Sequence, residues 1–154
     1  MPPATPLHPT PTETLWRKAV LVLDDDPACR RTICAIADSV GWASLAAGSF
    51  DEAEILIGRR NVDCVVTDLS VGGVGVVRLF RAMALVHCTV PVVMVSAADP
   101  ATARAAVSEG FRLGLSVCYP IAKPSGLATL AGRLARIERR LRQGNAECCH
   151  GDCF

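Results

Sequence analysis

The groups in this sequence that could do chemistry are carboxylates, one hydroxyl and one ammonium. Asp24, Asp25 and Asp26 are consecutive, and Asp68, Ser96 and Lys123 each stand far from them along the chain. Carboxylates gathered at one place repel, and the repulsion is relieved by protonation or by a cation. Carboxylate and carbonyl oxygens are hard donors suited to Mg²⁺ that keeps some of its waters. A hydroxyl and an ammonium beside such a centre complete a site for a phosphoryl group. The ammonium neutralises its oxygens and the hydroxyl donates a hydrogen bond.

Such a site needs a fold that carries distant residues to one edge, and the chain has the pattern of one. Ala19 to Leu23 is a short apolar run that stops at the three acids, as a buried parallel strand does. Trp42 to Ala46 is a weaker strand. Cys64 to Thr67 runs into Asp68, Val90 to Val95 runs into Ser96, and Val117 to Ala122 leads into Lys123-Pro124. Helical patterns separate them. Asp26-Pro27 supplies a cap and a first-turn proline, Ile33, Ile36, Ala37 and Val40 follow at helical spacing, and Gly41 ends the helix. Ser49-Phe50-Asp51-Glu52 is a capping-box pattern. A third helix buries Val76, Leu79, Phe80 and Met83. Asp99-Pro100 opens a fourth that runs towards Gly110. Leu127, Leu130, Leu134, Ile137 and Leu141 form one apolar stripe on a last helix. Five strand–helix units predict an α/β domain with a parallel sheet covered on both faces. Ligands of such sheets bind beyond the carboxyl ends of the strands, where these acids, Ser96 and Lys123 fall.

Composition narrows the function classes. The chain has 154 residues, 16 Lys and Arg against 15 Asp and Glu, and a net charge of +1. That balance speaks against a protein that coats nucleic acid or an anionic membrane. The longest apolar region, Val90 to Ala98, falls far short of the roughly 20 residues of a spanning helix. No basic start followed by an apolar run marks a secretory signal, so the expected compartment is the cytoplasm. The eight cysteines are then expected to be mostly reduced. Cys29, Cys34, Cys64, Cys88 and Cys118 lie singly in apolar segments, where Cys packs as a small hydrophobe. Residues 1–17 read as a Pro/Thr-rich flexible arm and residues 143–154 as a flexible tail carrying Cys148, Cys149, His150 and Cys153. The tail could ligate zinc, but adjacent cysteines suit one tetrahedral site poorly, and a thiol tail is the favoured reading. Residues 18–142 form the domain, about 125 residues, which a single core of this kind consumes.

The motifs resemble one family. Leu23-Asp24-Asp25-Asp26-Pro27 with Arg30, Val66-Thr67-Asp68, Val93-Met94-Val95-Ser96-Ala97 and Lys123-Pro124 stand in the order, and at the strand ends, of a response-regulator receiver domain of two-component signalling. The resemblance implies a flavodoxin-like (βα)5 fold with strand order 2-1-3-4-5. It implies that Asp68 is the phosphoacceptor, taking a phosphoryl group from a sensor histidine kinase or phosphotransfer protein in a phosphorelay. Asp25 and Asp68 would bind Mg²⁺ directly with the Ser70 backbone carbonyl, and Asp24 through water. Lys123 would pair with the phosphoryl oxygens and Ser96 would carry a conformational switch. Asp26 is a helix cap. With no room for an output domain, the effector would be a separate protein. No DNA or membrane partner and no turnover of a separate substrate are expected.

Three places depart from the family pattern. Val71-Gly72 replaces the usual Met-Pro in the loop after the phosphoacceptor, and Gly75 comes one residue early. Pro120 takes the place of the switch aromatic three residues before the lysine. Tyr119 is one position off, and in a regular strand that changes its face, so either a bulge restores it or the Ser96–aromatic coupling is altered. Phe111 to Cys118 is longer than the common pattern and resembles receivers associated with cyclic-di-GMP phosphodiesterases. These departures keep open an alternative, a receiver-fold binding module with little phosphorylation-dependent switching. A haloacid-dehalogenase-type phosphatase would share Asp-x-Asp after a strand, but Pro27-Ala28 replaces the pair that family needs. Gly72-Gly73-Val74-Gly75 matches neither a dinucleotide nor a Walker pattern and reads as a flexible turn. Arg133, Arg136, Arg139, Arg140 and Arg142 give the last helix a positive, solvated face.

Overall fold

A computed structural model describes residues 18–59 and 62–144. The N-terminal arm and the cysteine-bearing tail fall outside these residues, so the expectations placed on them are not addressed. The elements in chain order are β1 (Ala19–Leu23), α1 (Pro27–Ser39), β2 (Ala43–Ala47), α2 (Phe50–Arg59) and β3 (Cys64–Thr67). A two-stranded hairpin follows, β4 (Ser70–Val71) and β5 (Val74–Gly75). Then come α3 (Val77–Leu85), β6 (Val92–Ser96), α4 (Pro100–Arg112), β7 (Ile121–Ala122), a 3₁₀ turn (Ser125–Thr129) and α5 (Leu130–Arg142). Five parallel strands form one sheet in the order β2-β1-β3-β6-β7. Counting only these five, this is the 2-1-3-4-5 order that the motifs imply. Among the described residues no helix is long and apolar enough to cross a membrane.

The strands alternate cleanly because both faces are covered. Leu21, Leu23, Val65, Val92, Met94 and Val117 pack with Phe50, Leu79, Phe80, Met83 and Ala106 of α2, α3 and α4. Val20, Val22, Cys64, Val66, Val93, Val95 and Ile121 pack with Ile33, Ala37, Leu130, Leu134 and Ile137 of α1 and α5. The helices start as their sequences direct. The Asp26 side chain accepts from Ala28 N at 3.0 Å, and that of Asp99 accepts from Thr102 N at 3.3 Å. At α2 the capping box is offset. Ser49 Oγ accepts from Glu52 N, but the Glu52 carboxylate takes the N–H of Gly48.

Four features refine the expectations. The helix towards Gly110 continues through it, so that α4 runs to Arg112, and Gly114, at φ +79°, follows it. Gly110 is a contact point, since a Cβ there would lie 2.4 Å from Val117 Cγ2. The glycine loop after Asp68 is not a featureless turn. It folds into the β4–β5 hairpin, with Gly72 and Gly73 both at positive φ as a tight connection demands. Cys118 is disulfide-bonded, unlike the free thiols Cys29, Cys34, Cys64 and Cys88.

The fourth feature concerns the edge strand, where the structure selects the bulge from the two alternatives left open for Tyr119. Val92 bridges Val117, whereas Val95 pairs with Ile121, so three steps along β6 match four on the edge segment. One extra residue is therefore accommodated as a bulge, a rare feature between parallel strands. The core records it as well. Val117 faces α2–α4, Cys118 faces α1 and α5, and Ile121 faces α1 and α5 too. Regular alternation would have put Ile121 with Val117.

Candidate functional site

The carboxyl ends of β1 and β3 lie side by side because Leu23 pairs with Thr67. The next residues, Asp24 and Asp68, therefore leave the sheet together. Asp25 follows on the turn that Asp26 caps. One carboxylate oxygen from each of Asp24, Asp25 and Asp68 lies within 4.8 Å of the others. Asp24 is buried, Asp68 is half-buried and Asp25 is exposed, so the cluster opens outwards through Asp25.

Lys123 closes it from the edge strand. Its Nζ donates to Asp24 Oδ2 at 2.6 Å and to Asp68 Oδ2 at 3.0 Å. Burial works against the ammonium, but the hydrogen bonds and charges of Asp24 and Asp68 outweigh it and raise the Lys123 pKa. Burial likewise opposes the Asp24 carboxylate. Hydrogen bonds from Lys123, the Asp26 N–H and Cys29 outweigh that and hold its pKa below the ordinary value. The Asp26 N–H reaches Asp24 Oδ1 at 2.9 Å. The pair is thus charged, Asp⁻ beside Lys⁺, in a pocket largely out of water.

Other groups set the geometry. Asp68 Oδ1 accepts from Leu69 N at 2.7 Å, and Asp25 Oδ2 from Gly72 N at 3.0 Å. The hairpin of Ser70 to Gly75 is thereby tied to the acidic turn. Arg30 Nη1 donates to the Asp24 carbonyl at 2.8 Å. Gly48 leaves room for it, since a Cβ there would sit 3.1 Å from the same nitrogen. Cys29 adjoins the pocket; burial and its hydrogen bond to Asp24 push the thiol pKa up, with Lys123 pulling the other way. Sequence spacing does not reveal the contacts of Gly72 and Cys29. Arg30, one turn into α1 from Asp26, was legible as part of the motif but not in its role.

Ser96 ends β6 and is buried. Its backbone carbonyl accepts from Lys123 N at 2.9 Å, and its hydroxyl accepts from Ala98 N at 3.0 Å. The fold therefore gathers Asp24, Asp25, Asp68 and Lys123 into one cluster and sets Ser96 beside it, with the hydroxyl engaged by its own loop. Ser70 starts β4 and is exposed. Beyond Ser96 lies a cavity of about 140 Å³, lined among others by Ala103, Arg104, Tyr119 and Ile121. The bulge explains why Tyr119 reaches it. The extra residue falls after Val117, so Tyr119 keeps the α4-side face that its offset from Lys123 would otherwise have cost it. The Lys123–Pro124 peptide is cis.

A doubly wound parallel sheet with an acidic cluster and a lysine at its carboxyl edge has the flavodoxin-like architecture of receiver domains, which are generally signalling modules. The sequence from residue 20 to 134 matches the model of the response regulator receiver domain, and the chain belongs to that family. No curated protein matches it. Solved structures do. The receiver domain of the Francisella response regulator 1452 is 25% identical, with a TM-score of 0.68 over 81% of this chain and 99% of that one. A response regulator receiver domain protein from Methanospirillum hungatei is 17% identical, with a TM-score of 0.68 over 84% and 100%. A response regulator from Burkholderia pseudomallei, solved with a phosphorylated aspartic acid, calcium ion and citrate, is 24% identical, with a TM-score of 0.58 over 83% and 75%.

Proposed function

We propose that this receiver domain accepts a phosphoryl group on Asp68 from a histidine kinase or phosphotransfer protein. The observation that carries the reading is the hydrogen bonding of Lys123 to both Asp24 and Asp68 at the mouth of the acidic cluster. A carboxylate oxygen of Asp68 attacks phosphorus of a phosphohistidine. The new O–P bond forms as the P–N bond breaks, and the leaving imidazole keeps the electron pair and takes up a proton. Asp68 is open enough to meet a donor, whereas Asp24 is not.

The donor set fits a hard divalent cation: three carboxylates in mutual reach with one side open to solvent. Asp25, Asp68 and the Ser70 carbonyl would hold Mg²⁺, with Asp24 acting through water, and the bound ion would neutralise the phosphoryl oxygens during transfer. Lys123 holds the in-plane oxygens by charge and hydrogen bonding. Ser96 leaves Ala98 N and donates its hydroxyl to the phosphoryl group, which alters the cavity beside Tyr119. On this reading residues 18–142 are the working domain, acting in the compartment of the kinase, the cytoplasm, and a protein effector reads its state.

The test is incubation with Mg²⁺ and a small phosphodonor such as phosphoramidate. An acid-stable, hydroxylamine-labile adduct should form and be absent from Asp68→Asn; no adduct with any donor rejects the reading. A second reading, a binding module that does not switch, is favoured by the Gly72 N–H that already occupies Asp25 and by the engaged Ser96 hydroxyl. It requires partner binding that Asp68→Asn leaves unchanged.

A further inference from the structure

The bulge in the edge strand has a partner on the opposite face of the sheet. Pro120 offers no N–H to the ladder, and the carbonyl before it, that of Tyr119, accepts from Arg133 Nη1 at 2.8 Å. Arg133 lies on α5, next to Leu134, which is buried with Ile137 and Ile121 on the α1–α5 face. The Tyr119 side chain lies on the other face, at the cavity it shares with Ser96. One peptide group therefore joins the cavity to the last helix. A guanidinium donor makes a charge-assisted bond in a fixed fork geometry, which resists sliding.

We propose that Arg133 is a positioning residue that couples α5 to the state of the Ser96–Tyr119 cavity. A shift of Tyr119 turns its peptide. The helix must then follow through Arg133, or the hydrogen bond must break. The direction of the link follows from the ladder: Val92 N donates to the Ser116 carbonyl and Cys118 N to the Val92 carbonyl, so the carbonyl of the next residue, Tyr119, faces away from β6, where Arg133 meets it. The proposal rests on Asp68 being the phosphoacceptor, since modification of Asp68 is what disturbs Ser96.

Tyr119 is the single tyrosine of the chain, so 3-fluorotyrosine gives one ¹⁹F signal for the cavity. The ¹³C-methyl signal of Ile137 reports α5. The full chain is titrated with Mg²⁺ and beryllofluoride, a phosphoryl mimic that forms its own ¹⁹F-visible adduct on a carboxylate. In the native chain both reporters should shift as the adduct forms. In Arg133→Met the adduct and the Tyr119 shift should persist. The ratio of shifted to unshifted Ile137 should fall about tenfold, the worth of a charge-assisted hydrogen bond in an equilibrium constant. Arg133→Lys, which keeps a cationic donor, should recover part of it. Should the Met variant not fold, Arg133→Ala carries the same comparison. An adduct with an undiminished Ile137 response in the variant overturns the coupling alone. No adduct in the native chain overturns the phosphoacceptor reading and the coupling with it.

Discussion

Lys123→Met is the perturbation that most directly tests the electrostatics of the acidic cluster. The native ammonium lies 2.6 Å from Asp24 and 3.0 Å from Asp68, and Asp24 is 1% exposed. At an effective dielectric near 20, each contact carries roughly 5 kcal/mol of attraction, largely offset by the cost of taking the charges out of water. Removing the cation abolishes the attraction and leaves Asp24 to bear its desolvation alone. Breaking a buried pair in this way costs about 3–5 kcal/mol. Protonation sets a ceiling. Neutralising a carboxyl with an ordinary pKa near 3.8 at neutral pH costs about 4 kcal/mol at 1.36 kcal/mol per unit. The expected loss in the metal-free protein near pH 7 is therefore about 3–4 kcal/mol.

The pH dependence has a definite sign. The native Asp24 has a lowered pKa, so its stabilising contribution is present above the unfolded value and is lost as pH falls through the folded one. In the variant burial is unopposed by Lys123, so Asp24 takes up a proton more readily, which favours the folded form as pH falls. Down to about pH 4.5 only the second effect acts, and it should shrink the gap to about 1 kcal/mol there; the first adds to it below the unfolded value. Mg²⁺ at ten times its dissociation constant should return about 1.4 kcal/mol to the variant by linkage. Urea melts at both pH values, with and without Mg²⁺, measure all three quantities. A loss under about 1 kcal/mol at neutral pH, or one that does not change on acidification, would refute the picture of a buried charge pair.

Other expectations follow from single contacts. Gly110→Ala should destabilise by about 1–2 kcal/mol in a urea melt, because the overlap with Val117 Cγ2 outweighs the helix preference for Ala; a stabilised variant would show that Val117 yields freely. Burial raises the Cys64 thiol pKa from 9.0 to about 12, so its stabilising effect is complete below pH 9 and declines as pH rises towards 12. By pH 10.5 the native chain should have lost about 2 kcal/mol more than Cys64→Ala, and parallel pH profiles would contradict this. Asp26→Ala should cost about 1 kcal/mol through the lost cap and still form the Asp68 adduct, whose disappearance would make Asp26 part of the site.

The legible part of the structure was the part written in local pattern. Apolar runs that end in Asp24, Asp68 and Ser96 marked three strand ends, and Asp26 and Asp99 marked two helix starts. Cluster formation needed only the strand order, and the four motifs together implied that order. Contacts from backbone groups or missing side chains were not legible. The Gly72 N–H on Asp25 depends on how a glycine-rich hairpin folds over the acidic turn. Gly110 has poor helix propensity, yet it lies inside α4 and acts as a contact, because tertiary packing against Val117 overrides propensity. Cys29 sits at helical spacing like a core residue, yet its position just past the acidic turn puts it beside Asp24.

The edge strand shows why spacing alone misplaces Tyr119. Counting back from Lys123 assumes one residue per ladder step, and a bulge violates that assumption at a single point. Its physical allowance is local. The segment pairs on one side only, so a proline there removes no bond to an outer neighbour. The Tyr119 carbonyl, turned away from β6, finds a donor in Arg133, so that this group is not left without a partner. Read one at a time, Pro120, Tyr119 and Arg133 are a strand breaker, a misplaced aromatic and a solvated helix charge. Read together they form one device that keeps the aromatic on the Ser96 side of the sheet and ties its peptide to α5. A replacement at any one of them is therefore expected to be felt at the other two, and that makes the register of this strand part of the site.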